Sequence, residues 1–234
     1  MKIGFIGTGI MGLPMAGHLL TAGYELQVYN RTKSKAQPLI DKGATSAASP
    51  AEAAMGADIV ISMVSRTDDV LEVLTGTDGA AQSASEGCLF IDMSTIDSGA
   101  TAQLEKDLNA RGIEFIDAPV SGGEGGAINA ALTIFCGGKP ENVEHARPVL
   151  ECMGKKINHM GPAGTGQVAK ACNQILVAGA LLGVAEALSH GKKSGLDLHQ
   201  LVAATSGGAA LSYQLDNLGK AIAEDNFMPG FMVE

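Results

Sequence analysis

The feature that most constrains the fold is the alternation of short apolar runs with helical patterns over the first two thirds of the chain. Runs rich in β-branched and aromatic residues, such as Ile3–Ile6 and Ile59–Met63, are separated by segments with helical periodicity, such as Met11–Thr21. Such alternation predicts βαβ units and a parallel, doubly wound sheet. The runs are mostly apolar, as expected for strands that are covered by helices on both faces.

The pattern predicts further elements and a change of architecture after Met160. Strands are expected at Glu25–Tyr29, Leu89–Asp92, Glu114–Asp117, Leu132–Cys136 and Lys156–Met160, and helices at Lys33–Lys42, Pro50–Met55, Thr101–Ala110 and Glu141–Leu150. Only helices are expected afterwards, over about 165–193, Asp197–Thr205 and Leu211–Ala223. We therefore predict an α/β domain over residues 1–163 and an all-helical domain over 164–234.

A glycine-rich turn joins the first strand to the first helix, with the sequence Gly7-Thr8-Gly9-Ile10-Met11-Gly12. The spacing G-x-G-x-x-G between a strand and a helix is typical of a Rossmann dinucleotide-binding domain. Gly7 allows the tight turn, Gly9 lets a pyrophosphate approach the backbone, and Gly12 lets the helix pack on the sheet. The alternative is an ordinary tight turn. We predict that all six residues contact a dinucleotide.

The end of the second predicted strand indicates which dinucleotide is bound. It carries Asn30, Arg31 and Thr32, and no carboxylate that would accept hydrogen bonds from the adenosine ribose. Arg31 can pair with a 2′-phosphate instead, and Asn30 and Thr32 can donate hydrogen bonds to it. The sequence therefore predicts NADP, with NAD possible. The alternative is that Arg31 is a solvated surface residue.

Two polar loops follow later strands, Met63–Thr67 and Asp92–Thr95. Ligands of open α/β sheets lie beyond the carboxyl ends of the strands. The loops are therefore expected to line the cofactor, although polar turns of no function are an alternative.

Small residues follow a third strand in Asp117–Gly123. Such residues can expose successive backbone N–H groups, which bind anions, and the hydroxyl of Ser121 adds a donor. Ser121, Gly122 and Gly123 are therefore candidates to bind a substrate carboxylate. Residues 121–126 are predicted to form a loop, and the alternative is that this loop is merely flexible and binds nothing.

Lys170 and Asn173 lie near the start of the predicted long helix, three positions apart and hence on one face. This helix is apolar over most of its circumference, so it is expected to be buried between domains or against another subunit. Burial would lower the pKa of Lys170 toward neutrality, as a proton donor and acceptor requires. A lysine at a helix edge that reaches solvent is the alternative.

Composition limits the partners. A net charge of −9 argues against nucleic acid and anionic membranes, because the overall field repels phosphates. The longest apolar stretch, Ile175–Ala185, is about half the ~20 residues that a bilayer span requires. Scattered cysteines without CxxC spacing predict reduced thiols and a cytoplasmic protein, and scattered histidines predict no metal site. The turn 161–166 lacks the GK[ST] ending of a P-loop.

Four segments together resemble the β-hydroxyacid dehydrogenase family, which includes 3-hydroxyisobutyrate dehydrogenase, tartronate semialdehyde reductase and glyoxylate/succinic semialdehyde reductases. They are Gly4–Gly12, Asp92–Thr95, Asp117–Gly123 and Gly164–Asn173. They occur in the family's order and span nearly the whole chain. The resemblance implies a Rossmann domain followed by an all-helical domain, a nicotinamide cofactor and a short carboxylic-acid substrate.

The resemblance also implies roles for individual residues. Lys170 would be the catalytic lysine, Asn173 would hold the substrate and the lysine, and Ser121–Gly123 would bind the substrate carboxylate. Val64, Ser65 and Thr95 would line the nicotinamide and its ribose, and Met63 of the same loop is a further candidate to contact the cofactor. The family usually has Leu-Pro at the positions of Val64 and Ser65. Its members also run further at the C-terminus, so we expect the helical domain to be incomplete within this chain.

Three functional hypotheses follow. The first is an NADPH-dependent reductase of tartronate, succinic or methylmalonate semialdehyde or of glyoxylate, working as a homodimer or homotetramer. The second is an NAD-dependent 3-hydroxyisobutyrate dehydrogenase. The third is a non-catalytic dinucleotide-binding or scaffold module, which Lys170 disfavours. Imine reductases share the fold but typically replace the lysine.

Overall fold

The computed structural model describes residues 1–227 and comprises two units, Met1–Lys170 and Ala171–Glu234. The first unit contains one mixed sheet. Its strands are β1 (Lys2–Ile6), β2 (Glu25–Tyr29), β3 (Thr45–Ser46), β4 (Ile59–Ser62), β5 (Leu89–Asp92), β6 (Glu114–Asp117), β7 (Val120–Ser121), β8 (Leu132–Gly138) and β9 (Gly154–Gly161).

The order of these strands is that of a dinucleotide-binding domain. The sheet runs β3-β2-β1-β4-β5-β6-β8-β7, and β9 pairs with β8. The six strands from β3 to β6 are parallel, and β8 is antiparallel to β6. The order 3-2-1-4-5-6 reverses direction between β1 and β4, which is where such sheets bind ligands. The predicted α/β fold class is confirmed.

Seven helices accompany the described strands of the first unit. They are α1 (Gly12–Thr21), α2 (Gln37–Ile40), α3 (Pro50–Ala54), α4 (Thr67–Thr75), α5 (Ser98–Asn109), α6 (Gly123–Ile128) and α7 (Pro140–Glu151). The long helix α8 (Thr165–Lys193) begins in the first unit and continues into the second. The described part of the second unit then contains α9 (Leu198–Ser206), a π-helical segment (Gln214–Gly219) and α10 (Lys220–Ala223).

The core of the first unit lies on both faces of the sheet. Phe5 of β1 belongs to one apolar cluster, whereas its neighbour Ile6 belongs to the other. Ile61 and Val60 of β4 divide in the same way. Because side chains alternate across a strand, β1 and β4 each supply both clusters and are apolar at nearly every position.

Several predicted elements are wrong in detail. The helix expected at Lys33–Lys42 is a 3₁₀ turn at Lys33–Ala36 followed by α2, because Pro38 cannot donate a backbone hydrogen bond to a continuing helix. The loop expected over 121–126 contains the end of β7 and most of α6. The helix expected at Leu211–Ala223 is a π-helical segment and a short α-helix. Helix α4 was missed.

The exposure of the side chains of α8 increases after the first turns of its 29 residues. Gln167 and Lys170 are buried, whereas Ile175, Leu176 and Leu182 are more than 60% exposed, at 71%, 73% and 61%. By length and composition the helix could also cross a bilayer, a criterion that core helices of soluble proteins meet too. The exposed isoleucine and leucines give α8 an apolar face that no described residue covers.

Candidate active site

The glycine-rich turn lies at the switch point of the sheet. Gly7 has a positive φ of 97°, which favours glycine, and its N–H donates to the carbonyl of Tyr29 over 2.9 Å. A Cβ on Gly7 would overlap the carbonyl oxygen of Met63, and a Cβ on Gly12 would overlap the carbonyl oxygen of Gly7. These positions therefore need glycine so that the turn fits between β1, α1 and the end of β4.

Two features of the turn fit a bound dinucleotide. A Cβ on Gly9 would meet no described atom within 4 Å, so open space adjoins the backbone where the motif places a pyrophosphate. Among residues 1–227, the hydroxyl oxygen of Thr8 is buried without a hydrogen-bond partner. Ile10 is exposed at 46% and Met11 is half-buried. The residues of the turn thus suit the pyrophosphate of a dinucleotide cofactor.

The end of β2 is organised around Asn30. Its Oδ1 accepts from the N–H of Thr8 over 2.8 Å, and its Nδ2 donates to the carbonyl of Thr32 over 2.9 Å. Arg31 extends into solvent, with its side chain 87% exposed, and lies 3.4 Å from a carboxylate oxygen of Asp69 in α4. Asn30 therefore holds the glycine turn, and a carboxylate that sequence reasoning missed partly neutralises Arg31.

The ends of β4 and β5 are joined by the carboxylate of Asp92, which is fully buried. Its Oδ1 accepts from the hydroxyls of Ser62 and Ser94, each over 2.7 Å. The Ser94 hydroxyl oxygen accepts from the N–H of Val64 over 3.0 Å. Burial raises the pKa of Asp92 to about 6, against the hydrogen bonds from Ser94 and Ser62, which lower it. This network fixes the loops that carry Val64 and Thr95.

The end of β6 is joined to the start of α8 by a second buried carboxylate, Asp117. Its Oδ1 accepts from the N–H of Gly164 over 2.7 Å, and its Oδ2 accepts from the N–H of Gln167 over 2.9 Å. Burial raises the pKa of Asp117, and these backbone donors oppose that shift. The carboxylate of Asp117 lies at the N-terminus of α8, where the helix dipole is positive, so its negative charge also stabilises the helix.

The predicted carboxylate-binding segment begins in β7 and ends at the start of α6. Ser121 is half-buried, and Gly122 and Gly123 are exposed with positive φ angles of 141° and 61°. At the far end of α6, Nε2 of His18 lies 2.9 Å from the carbonyl oxygen of Ala127. His18 belongs to α1, so the glycine segment and the turn at Gly7–Gly12 are connected through two packed helices.

Lys170 and Asn173 lie on α8. Lys170 is only 8% exposed, and burial lowers its pKa. Asn173 is half-buried. Three positions separate them on a continuous helix, so they project from the same face. Of the cofactor-loop residues, Met63 and Val64 are half-buried, whereas Ser65 and Thr95 are exposed.

Sequence reasoning missed the anchoring roles of Asp92, Asp117 and Gln167, and it missed Asp69, which pairs with Arg31. The sequence placed the first two at the ends of strands and at the start of predicted ligand-binding loops, without an anchoring role. Asp69 could have been found from α4, because Asp68 and Asp69 in a first turn followed by Val70 and Leu74 form a helical pattern.

Two family profiles cover the chain. Residues 2–161 match the NAD binding domain of 6-phosphogluconate dehydrogenase, and residues 164–234 match the NAD-binding domain of NADP-dependent 3-hydroxyisobutyrate dehydrogenase. The chain belongs to the β-hydroxyacid dehydrogenase family. It is therefore an oxidoreductase that uses a nicotinamide dinucleotide to act on hydroxy acids.

Individual members of the β-hydroxyacid dehydrogenase family agree with this assignment. A probable 3-hydroxyisobutyrate dehydrogenase-like protein of Arabidopsis thaliana is 44% identical over 99% of this chain and 70% of its own. The 2-hydroxy-3-oxopropionate reductase of Escherichia coli is 39% identical over 100% of this chain and 80% of its own. The solved structure of Mycobacterium tuberculosis 3-hydroxyisobutyrate dehydrogenase with L-serine has a TM-score of 0.87, at 33% identity, over 98% of this chain and 80% of that one.

Proposed function

We propose that this protein is an NADPH-dependent reductase of short semialdehydes or 2-oxo acids, with Lys170 as the general acid. The observation that carries the proposal is a lysine 8% exposed in the second turn of α8. A lysine is seldom buried unless it has a role or a partner. The first turn of α8 is bonded to the end of β6, at the edge of the sheet where the cofactor loops also lie.

When bound, the cofactor would supply the hydride that reduces the substrate carbonyl carbon. The chain would supply the proton: the ammonium of Lys170 donates it to the carbonyl oxygen, and the resulting neutral amine is reprotonated from water. Because burial disfavours the ammonium, the lowered pKa of Lys170 makes this transfer easier than from an exposed lysine. The reverse reaction uses the neutral amine as the base.

Binding roles for the other residues belong to the same proposal. Ser121, Gly122 and Gly123 would bind the substrate carboxylate, since the glycines are exposed and free of side chains. Asn173 would orient the substrate from the same face of α8 as Lys170. Val64, Ser65 and Thr95 would contact the nicotinamide ribose.

The NADP preference depends on Arg31, whose side chain is 87% exposed and whose guanidinium can pair with a 2′-phosphate. Its contact with Asp69 supports the second candidate, an NAD-dependent 3-hydroxyisobutyrate dehydrogenase. Asp69 places a negative charge beside Arg31, so its carboxylate would compete with a 2′-phosphate for the guanidinium. The balance between these two interactions would set the preference.

Initial rates with NADPH and with NADH test the proposal. The substrates to compare are glyoxylate and the semialdehydes of succinate, tartronate and methylmalonate. We expect reduction of at least one of them, with a higher kcat/KM for NADPH. A strong preference for NADH would contradict the role of Arg31 and favour the second candidate. No turnover with any of the four would contradict the substrate class.

A further inference from the structure

The side chain of Gln167 joins the first turn of α8 to the loop after β5. Gln167 is 3% exposed. Its Nε2 donates to the carbonyl oxygen of Ser94 over 2.9 Å, and its Oε1 accepts from the N–H of Ile96 over 3.1 Å. A primary amide carries both a donor and an acceptor, so one side chain satisfies both backbone groups. The bonded residues flank Thr95.

The backbone of Gln167 is held as well. Its N–H donates to Oδ2 of Asp117 over 2.9 Å, while Oδ1 of Asp117 accepts from Gly164 over 2.7 Å. The space around these bonds is tight, because a Cβ on Gly166 would overlap the carbonyl oxygen of Phe135. The first turn of α8 is therefore fixed to the ends of β5 and β6 by buried hydrogen bonds.

The hydrogen bonds continue to the loop after β4. The carbonyl of Ser94 binds Gln167, and the hydroxyl of the same serine accepts from Val64 and donates to Asp92. One connected set of bonds thus runs from Val64 to the turn of α8 that precedes Lys170. Lys170 follows Gln167 by three positions and so lies on the same side of the helix.

We propose that Gln167 is a positioning residue that fixes the amine of Lys170 relative to the loops of Val64 and Thr95. The inference depends on Lys170 being the proton donor, as proposed above. Proton transfer requires the amine within hydrogen-bond reach of the substrate oxygen while the hydride donor faces the carbon. A first turn that shifts against the β5 loop would break this geometry without removing any group that binds the cofactor.

The main variant is Gln167→Met, which keeps the length of the side chain but neither hydrogen bond. We expect kcat to fall by about 10- to 100-fold, since a misplacement near 1 Å can cost that much. The KM values for cofactor and substrate should change much less. Water around the loosened turn should also reduce the desolvation of Lys170, so the pKa seen in the pH profile of hydroxy-acid oxidation should rise.

A second variant, Gln167→Glu, keeps the shape and tests the donor separately. When protonated, the new carboxyl can donate to Ser94 and accept from Ile96 as the amide does. When ionised, the carboxylate has no proton to donate to the carbonyl oxygen of Ser94, and its negative charge repels that oxygen. We expect kcat to approach the wild-type value at low pH and to fall through an additional step as pH rises. This readout remains available if Gln167→Met fails to fold.

The matched control is Gln103→Met. Gln103 lies on α5, is exposed and bonds only the nearby Asp107 in the described structure. We expect wild-type kcat, KM and pH profile from this variant. Loss of activity in it equal to that of Gln167→Met would overturn the proposal, because the loss would then follow from any such substitution.

A parallel assay of Lys170→Ala separates the two proposals. If turnover collapses in Lys170→Ala while Gln167→Met and Gln167→Glu keep the wild-type kcat and pH profile, the positioning role is wrong and the proposed function stands. If Lys170→Ala retains wild-type turnover, the proposed function itself fails. A fall in kcat, a shifted pH profile and the additional step in Gln167→Glu together support the positioning role.

Discussion

The sheet edge of the first unit and the helices of the second distribute polar and apolar side chains in opposite ways. At the sheet edge, Asp92, Asp117 and Gln167 are buried and hydrogen-bonded. Along α8 in the second unit, Ile175 and Leu176 are exposed at 71% and 73%. In the first region, hydrogen bonds within the unit hold Oδ1 of Asp92, both oxygens of Asp117 and the amide of Gln167, so these groups are preorganised. The second presents apolar surface that a partner could cover.

The cores of the two units differ in the same sense. In the first unit, two large apolar clusters cover the faces of the sheet. In the described part of the second, the buried cluster consists of Val184, Leu188, Val202 and Leu215. Rigid placement of a site requires a packed scaffold. We therefore expect the first unit to set the geometry of the cofactor loops.

The largest contrast should come from one substitution made in each region. Leu104→Ala on α5 empties a position that is 1% exposed and should cost about 2–5 kcal/mol of unfolding free energy. Leu182→Ala on α8, which is 61% exposed, should change it by less than about 0.5 kcal/mol. Both leucines are helical, so helix propensity is matched.

Urea unfolding of both variants at several protein concentrations measures this contrast. An effect of Leu182→Ala that grows with protein concentration would indicate that association covers α8. If the two variants lose equal unfolding free energy at every protein concentration, the proposed difference between the regions is wrong.

The buried polar network predicts a dependence of stability on pH. Burial raises the pKa of Asp92 from 3.8 to about 6 in the folded protein. The stabilising contribution of the protonated form is complete below the unfolded pKa and is lost as pH rises through the folded pKa. The loss is of the order of 3 kcal/mol at most, at 1.36 kcal/mol per pKa unit.

The variant Asp92→Asn should not show this loss between pH about 4 and about 7, because an amide does not titrate there. Oδ2 of Asp92 has no hydrogen-bond partner in the described structure, so the O–H of the protonated acid and the N–H groups of the asparagine both lack an acceptor there, and the two proteins should differ little in stability at acidic pH. Urea unfolding of both proteins over this range gives the comparison. Parallel pH curves would contradict the raised pKa.

The exposed face of α8 predicts self-association, as the sequence also does. Leu176→Lys places a charge on this face and should weaken association about tenfold or more, at 1.4 kcal/mol per tenfold. Sedimentation velocity over a range of concentrations measures the effect, and Glu186→Gln on the same helix, which makes the net charge more positive by the same one unit, controls for the change of charge. A wild-type protein that remains monomeric at every concentration would refute the prediction.

The smallest effect is expected at the exposed pair of Arg31 and Asp69. An exposed ion pair contributes about 0.2–1 kcal/mol, so Asp69→Asn should raise the preference for NADPH over NADH by about fivefold at most. The ratio of kcat/KM for the two cofactors measures it, and the effect should weaken at high salt. An increased preference for NADH would show that Asp69 does not compete for Arg31.

The sequence predicts the sheet well and the network poorly, for physical reasons. β1, α1 and the turn between them are predictable because alternation, helical period and glycine spacing agree locally. β3 and β7 are two-residue strands whose pairing depends on distant neighbours. The anchoring roles of Asp92 and Asp117 depend on which strands are adjacent and where α8 begins. The sequence shows that Gln167 lies in an apolar helix, but it does not show that the partners of Gln167 are Ser94 and Ile96.

The most direct test of the account is the kcat of Lys170→Ala, measured together with the dissociation constant for NADPH on the same preparation. A well-placed general acid contributes about 10²–10⁴-fold, so we expect kcat to fall by that factor while NADPH affinity changes little. Wild-type kcat in a folded, NADPH-binding Lys170→Ala protein would contradict the account.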